Sequence, residues 1–316
     1  MARRAILALG LLALICGVSW SAPSWAQSSL VNQSCSSTSV SSEKPQTNAE
    51  GKEQNSDGNG IIHRKVIVDR VEFDRPVHLS DSDVEQIIRT ANEMGADADA
   101  DSRPWVDALT EIGLRSAWQD QGYFKILVTA YARPIGGDSD YERFVVGVHV
   151  ENEGPQFHLG DIRFTGGKGL PEAELRQVIR MREGEIFSVA KVRASIEALT
   201  KLYGSHGYID FTVSPDTEVD EHLQRISLEM RLDEQKQFRV GSSEIRGLEP
   251  SLEARLRSII VPGEIVNMEP IFAFFRENES VLPPRGIDNL KILRNVRTGI
   301  ADLTFDPRSC PSLEAN

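Results

Sequence analysis

The chain has 316 residues, with 35 Lys and Arg against 47 Asp and Glu, a formal charge of −12. An acidic balance of this size argues against a basic face for nucleic acid and against charge-driven docking on anionic lipid. Beyond the N-terminus no apolar run reaches the ~18 residues that a membrane helix needs, and the length allows two or three small domains.

Arg3 and Arg4 form a basic leader, Ala5 to Val18 is apolar, and Ser24-Trp25-Ala26 places small residues at −3 and −1 of a cleavage point. Residues 1–26 therefore read as an export signal cut between Ala26 and Gln27. The 14 apolar residues are short for a retained anchor. Residues 27–63 are rich in Ser, Asn, Gln and Gly. They read as a disordered tether, with little apolar surface to offset the entropy of ordering.

A mature chain starting at Gln27 keeps two thiols, Cys35 and Cys310. Export makes them candidates for a disulfide. The alternatives are a bridge to a partner, a bridged dimer or free thiols. The stretch from Cys35 to Arg64 spans about 30 Å as a coil, so an intramolecular bridge requires an extended tether or an array that folds back.

From residue 64 one pattern is written three times. Val71-Glu72-Phe73 matches Ile162-Arg163-Phe164, and Gln86-Ile87-Ile88-Arg89 matches Gln177-Val178-Ile179-Arg180, both at an offset of 91. Trp118 and Gly122-Tyr123 match Tyr203 and Gly207-Tyr208 at an offset of 85. Gln156-Phe157, Gly160 and Gly166 match Gln237-Phe238, Gly241 and Gly247 at 81, and Gly207 matches Gly286 at 79. The expected units are 64–153, 154–235 and a shorter, less regular 236–306, followed by a tail at 307–316.

Each unit reads strand, helix, helix, strand, strand. In the first, strands are expected at Val66 to Phe73, Tyr123 to Ala132 and Arg143 to Val150, with helices near Asp81 to Met94 and Pro104 to Gln121. Gly136-Gly137-Asp138 supplies the hairpin turn. In the second, Gln156 to Phe164 alternates as a strand. Pro171 opens a helix that Gly184 stops. Ser188 caps a second helix with a stripe of Val189, Val192, Ile196, Leu199 and Tyr203. Tyr208 to Val213 and Arg225 to Leu232 alternate as the remaining strands. In the third, Pro283-Pro284 cuts the second helix and Thr298-Gly299 makes a tight hairpin.

The element order resembles POTRA (polypeptide-transport-associated) domains. So do the Glu153-Gly154-Pro155 lead into a strand, Ile162-Arg163-Phe164-Thr165-Gly166, and the Tyr203…Gly207-Tyr208 helix end. The resemblance covers residues 64–306. It implies an α+β fold of tandem βααββ units, each with two helices on a three-stranded mixed sheet. POTRA repeats are the periplasmic arms of outer-membrane barrel insertases and their translocation relatives, which usually continue into a barrel. This sequence stops ten residues after the third copy, so the expectation is an arm without a barrel of its own.

No GxSxG, HExxH, Walker loop or GxGxxG occurs, and His63, His78, His149, His158, His206 and His222 are scattered. Asp97, Asp99 and Asp101 resemble the start of a calcium loop, but Ser102 and Ala108 stand where an EF-hand needs Gly and Glu. The expectation is a protein without catalytic residues, cofactor or metal; a periplasmic hydrolase is a remote alternative. Trp118, Tyr123, Tyr203 and Tyr208 are read as core packing where the second helix meets the second strand.

The resemblance also implies a mode of action. In the family the second strand of each unit is a sheet edge, and an extended segment can pair with it by β-augmentation. Carried over, the partner-binding edges are Tyr123, Phe124, Lys125 and Ile126; Tyr208, Ile209, Asp210 and Phe211; and Leu290, Lys291 and Ile292. The expected partners are an outer-membrane barrel protein or unfolded client polypeptides. A scaffold docking one folded partner is the alternative. Mass analysis of the protein from cells checks the export reading: the expected N-terminal residue is Gln27, and full-length protein retaining Met1 would count against it.

Overall fold

The computed structural model describes residues 64–98, 102–282 and 286–307. The expected signal, its cleavage point at Ala26 and Gln27, the tether, and Cys35 and Cys310 lie outside these residues, as do Pro283-Pro284.

The described chain is α+β. The first sheet is built from β1 (Lys65–Phe73), β2 (Leu127–Gly137) and β3 (Tyr141–Asn152). It is covered by α1 (Asp81–Glu93) and by a long helix in three parts: α2 (Ser102–Leu109), a π turn at Thr110–Leu114, and α3 (Arg115–Asp120). The second comprises β4 (His158–Thr165), α4 (Glu172–Val178), α5 (Val189–Ser205), β5 (Thr212–Asp220) and β6 (Arg225–Asp233). The third comprises β7 (Arg239–Ile245), α6 (Pro250–Ile259), α7 (Met268–Glu277), a 3₁₀ turn at Gly286–Asn289, β8 (Leu290–Asn295) and β9 (Ile300–Phe305). In every sheet the last strand lies in the centre, parallel to the first strand and antiparallel to the second. The second strand is therefore always an edge.

Local chemistry explains the elements. Ser80 accepts from the Asp83 N–H at 3.2 Å, and Asp83 accepts from the Ser80 N–H at 2.8 Å, a reciprocal cap that starts α1. Ser188 and Asn267 cap α5 and α7 in the simpler way. Val189, Val192, Ile196, Leu199 and Tyr203 all turn inward from α5. Val192, Ile196, Leu199 and Tyr203 meet Leu159, Ile226, Leu228 and Met230 of the second sheet in one apolar cluster. Burial of such side chains contributes about 1.5–3 kcal/mol each, which is why a short sheet and two helices can hold together.

Three boundaries differ from expectation. α4 ends at Val178, well before Gly184, because the chain then extends and the Arg180 N–H donates to Ser195 Oγ at 2.9 Å. Gly184, at φ 82°, instead turns the chain so that its N–H reaches the Leu159 carbonyl at 2.8 Å. Gly136 and Gly137 still belong to β2; the turn follows them, held by Asp138 accepting from the Asp140 N–H at 2.8 Å. The second strands begin late, at Leu127 and Thr212. Tyr123, Phe124, Lys125 and Ile126, and likewise Tyr208, Ile209, Asp210 and Phe211, lie in a turn ahead of the edge strand. Leu290, Lys291 and Ile292 do lie in their strand, β8.

A carboxylate closes each of the first two units where the central strand ends. Glu234 accepts from the Lys168 N–H at 2.9 Å, the Gly169 N–H at 2.8 Å and the Tyr203 hydroxyl at 2.9 Å. Glu153 accepts from the His78 N–H at 3.0 Å and the Trp118 indole N–H at 2.6 Å. Burial pulls both carboxyls up, but these donors together hold them below the ordinary range. A lowered folded-state pKa stabilises the fold above the ordinary carboxylate range, and that stabilisation is lost as pH falls through the lowered value. Glu234→Ala strands three donors and is expected to cost about 1–3 kcal/mol. Thermal melts from pH 7 to pH 3 check this. The loss should be full at neutral pH and shrink on acidification; a gap that does not shrink would show that the carboxylate's charge is not what matters.

Candidate functional site

The residues nominated as edges in the first two units have another occupation. At the end of α3, Gly122 (φ 83°) turns the chain, and its carbonyl accepts from the N–H of Phe157 at the head of the next sheet, at 2.9 Å. At the end of α5, Gly207 (φ 83°) does the same for the N–H of Phe238, also at 2.9 Å. The Gln156 side-chain amide donates to the Gln121 carbonyl and that of Gln237 to the His206 carbonyl, each at 2.9 Å. The Phe157 and Phe238 carbonyls pass the chain of bonds on, accepting from Phe187 and Val266 at 3.0 Å each. A Cβ on Gly122 or Gly207 would stand 2.8 Å from the carbonyl oxygen of Phe157 or Phe238. Glycine is required here by φ and by the neighbouring unit together.

The following residues alternate between the two units they join. Tyr123 and Ile126 pack on the first unit's own core, whereas Phe124 packs on the second, edge-on to Phe157 and Phe187 at 6.2 and 5.4 Å between ring centres. Tyr208 and Phe211 pack on the second core, with Phe211 stacked on Tyr203 at 3.9 Å, whereas Ile209 is buried in the third. Lys125 pairs with Glu221 at 2.9 Å and Asp210 with Arg294, so the two joints carry ion pairs of opposite polarity. In the first joint Asp120 also caps the next helix, accepting from the Ala190 N–H at 2.7 Å and from the Ser188 hydroxyl; burial raises its pKa against those donors. The repeat of Gln-Phe and Gly-Tyr was visible in the sequence, but nothing there said that these pairs touch each other.

The joint stops at the second unit. Gly286, which aligns with Gly207, sits in a 3₁₀ turn and does not have positive φ. Trp118 and Tyr203 are fully buried core residues, and Tyr123 and Tyr208 partly buried ones. His78 stacks on Tyr123 and bonds Glu153, and His149 pairs with Asp74. Among the described residues no helix is long and apolar enough to cross a membrane.

The exposed edges lie one turn later. In β5 the pairing with β6 is unbroken from Thr212 to Asp220, although Pro215 has no N–H. The ring nitrogen must therefore face outward, because an inward one would break the ladder. Alternation places the backbone N–H and C=O of Val213, Thr217 and Val219 outward too. Ala130, opposite Val148, is the counterpart of Pro215, opposite Met230, because Val148 and Met230 pair with the equivalent Phe73 and Phe164. In β2 the outward groups are thus those of Val128, Ala130 and Ala132.

Three tandem α+β units, each with its last strand central and its second strand at the edge, define a repeat array. Residues 157–235 match the family model of POTRA, described as surface antigen variable number repeat. The match falls on the middle unit, and the units on either side repeat its topology. A Neorickettsia risticii protein named outer membrane protein assembly factor BamA is 22% identical over 238 residues, covering 74% of this chain and 30% of that protein. The solved POTRA3-5 segment of Haemophilus influenzae BamA aligns at 16% identity with a TM-score of 0.49, covering 76% of this chain and 94% of that one. POTRA1-3 of Omp85 from Anabaena aligns at 15% identity with a TM-score of 0.30, covering 77% and 95%. The chain spans 24% and 30% of the lengths of the curated relatives it matches.

Gly207→Val is expected to cost about 1–3 kcal/mol through backbone strain, with the clash on Phe238 adding to it. Ser214→Val, on the exposed face of β5, should change stability little. Equal melting temperatures for the two variants would refute the role assigned to Gly207.

Proposed function

We propose that this chain is a non-enzymatic, periplasmic protein-binding arm that serves outer-membrane protein assembly or secretion in association with the outer membrane. It binds extended segments, of client polypeptides or of a barrel protein, by adding them as a fourth strand to its sheets. The observation that carries the reading is the position of the second strand: three sheets each leave it as an open edge, and unpaired edge groups are a template for another strand. Backbone pairing tolerates varied side chains, which suits clients that share only an extended alternating pattern. The names of the relatives, both assembly factors, support the setting.

The joints favour a second reading. Units locked by repeated backbone hydrogen bonds suit a scaffold that docks one folded partner. A photo-reactive residue in place of Thr129, exposed on β2, separates the two in growing cells. A ladder of unfolded outer-membrane precursors is the expected product. A single folded protein captured in equal amount would replace the client-binding reading with the scaffold.

A further inference from the structure

The three second-strand edges are not equivalent. On β5 the outward donor is missing at Pro215, in the middle of the strand. The next outward donor, the Thr217 N–H, is already taken by the Asp216 carboxylate at 2.9 Å. The exposed face of that strand continues with Glu218 and Asp220, and inserted proline and charge are how sheet edges resist pairing. An incoming strand would find two adjacent donors absent and a row of carboxylates beside it.

On β2 the counterpart of Pro215 is Ala130, which keeps its N–H. Val128, Ala130 and Ala132 offer three successive outward donors and acceptors. Pro134, followed by a break in register before Gly136, ends the run. Beside this ladder the exposed face carries Leu127, 48% exposed, and Tyr131, 62% exposed, interleaved with Thr129 and Arg133, and Ile135, 41% exposed, stands at the register break beyond. Tyr131 stands opposite Gly147, whose lack of a side chain leaves room for the ring to lie across the sheet. An added strand would lay its alternate side chains along this face, where aromatic and β-branched neighbours interact favourably. β8 is shorter, at six residues; its exposed face carries Lys291, Leu293 and Asn295, so one apolar side chain stands between two polar ones, and Arg294 is tied back to Asp210.

We infer that, of the three second-strand edges, β2 of the first unit is the one that takes an added strand, along Val128 to Ala132, and that Pro215 and Asp216 close the equivalent edge of the second unit. The ligand it fits is an extended polypeptide segment of about seven residues whose alternate side chains are apolar, with an aromatic or β-branched residue opposite Tyr131. The inference rests on the strand-addition reading above and adds the site and the side-chain pattern.

The test uses the protein with a fluorescent decapeptide that alternates Thr with Val or Tyr, followed by anisotropy. Ala130→Pro places in β2 the residue that β5 already accommodates at the same position, so the fold should survive; a melting curve checks this. The expected result is at least a tenfold loss of peptide affinity with Ala130→Pro and none with Ile292→Pro. Adding Pro215→Ala and Asp216→Ala, which removes the side-chain acceptor from the Thr217 N–H, to Ala130→Pro should restore binding by opening the second edge. Methylating alternate amides of the peptide, a change that leaves the protein untouched, should abolish binding to the wild type. Loss on methylation without loss in Ala130→Pro, or equal loss in Ile292→Pro, would overturn the assignment to β2 while strand addition stands. No loss from methylation would overturn both. Failure of the triple variant to regain binding would overturn the closing role of Pro215 and Asp216.

Discussion

The hydrogen bond from the Phe157 N–H to the Gly122 carbonyl, repeated from Phe238 to Gly207, ties the end of each second helix to the first strand of the next unit. Much else depends on it. A buried carbonyl at a helix end needs a donor, and here that donor is supplied by another unit rather than by the same one. The turn that makes the carbonyl available requires positive φ, and the approach of the neighbouring backbone leaves no space for a Cβ. Phe124 and Ile209 then complete the core of the unit that follows. Folding of the array is coupled at these two points, since neither unit's end is satisfied alone.

The joint also decides where the edge strands begin. Because Tyr123 to Ile126 and Tyr208 to Phe211 alternate between two cores, they cannot lie flat at a sheet edge. The chain reaches ladder geometry only at Leu127 and Thr212. The exposed strand groups are thereby displaced from the joint and left open along the side of each unit. On β5 that openness is countered by Pro215 and by the carboxylate of Asp216. On β2 it is left in place and lined with Leu127 and Tyr131.

Three tandem sheets with paired helices were legible because the sequence repeats Gln-Phe, Gly and aromatic positions in one order. The stripe from Val189 to Tyr203 also has an unambiguous helical period. The edge residues were not legible at the right positions. Ile209-Asp210-Phe211-Thr212-Val213 alternates apolar and polar as a strand does, and periodicity cannot distinguish a strand from a turn whose residues face two different cores. Gly184 was likewise misplaced as a helix stop, because a glycine with positive φ looks the same whether it ends a helix or turns a loop toward a strand.

The sequence by itself determined the number of units, their βααββ order, the α5 cap and stripe, and the buried place of Trp118 and Tyr203, since local periodicity and a fixed repeat encode these. Only the tertiary structure decided that Gly122 and Gly207 each serve two units, that Glu153 and Glu234 close the ends of the first two sheets, and that Pro215 faces the open side of β5. Each of those depends on which groups meet across tens of residues, and on the alternating direction of backbone groups along a paired strand. Neither is written in the order of residues until a partner strand sets the register.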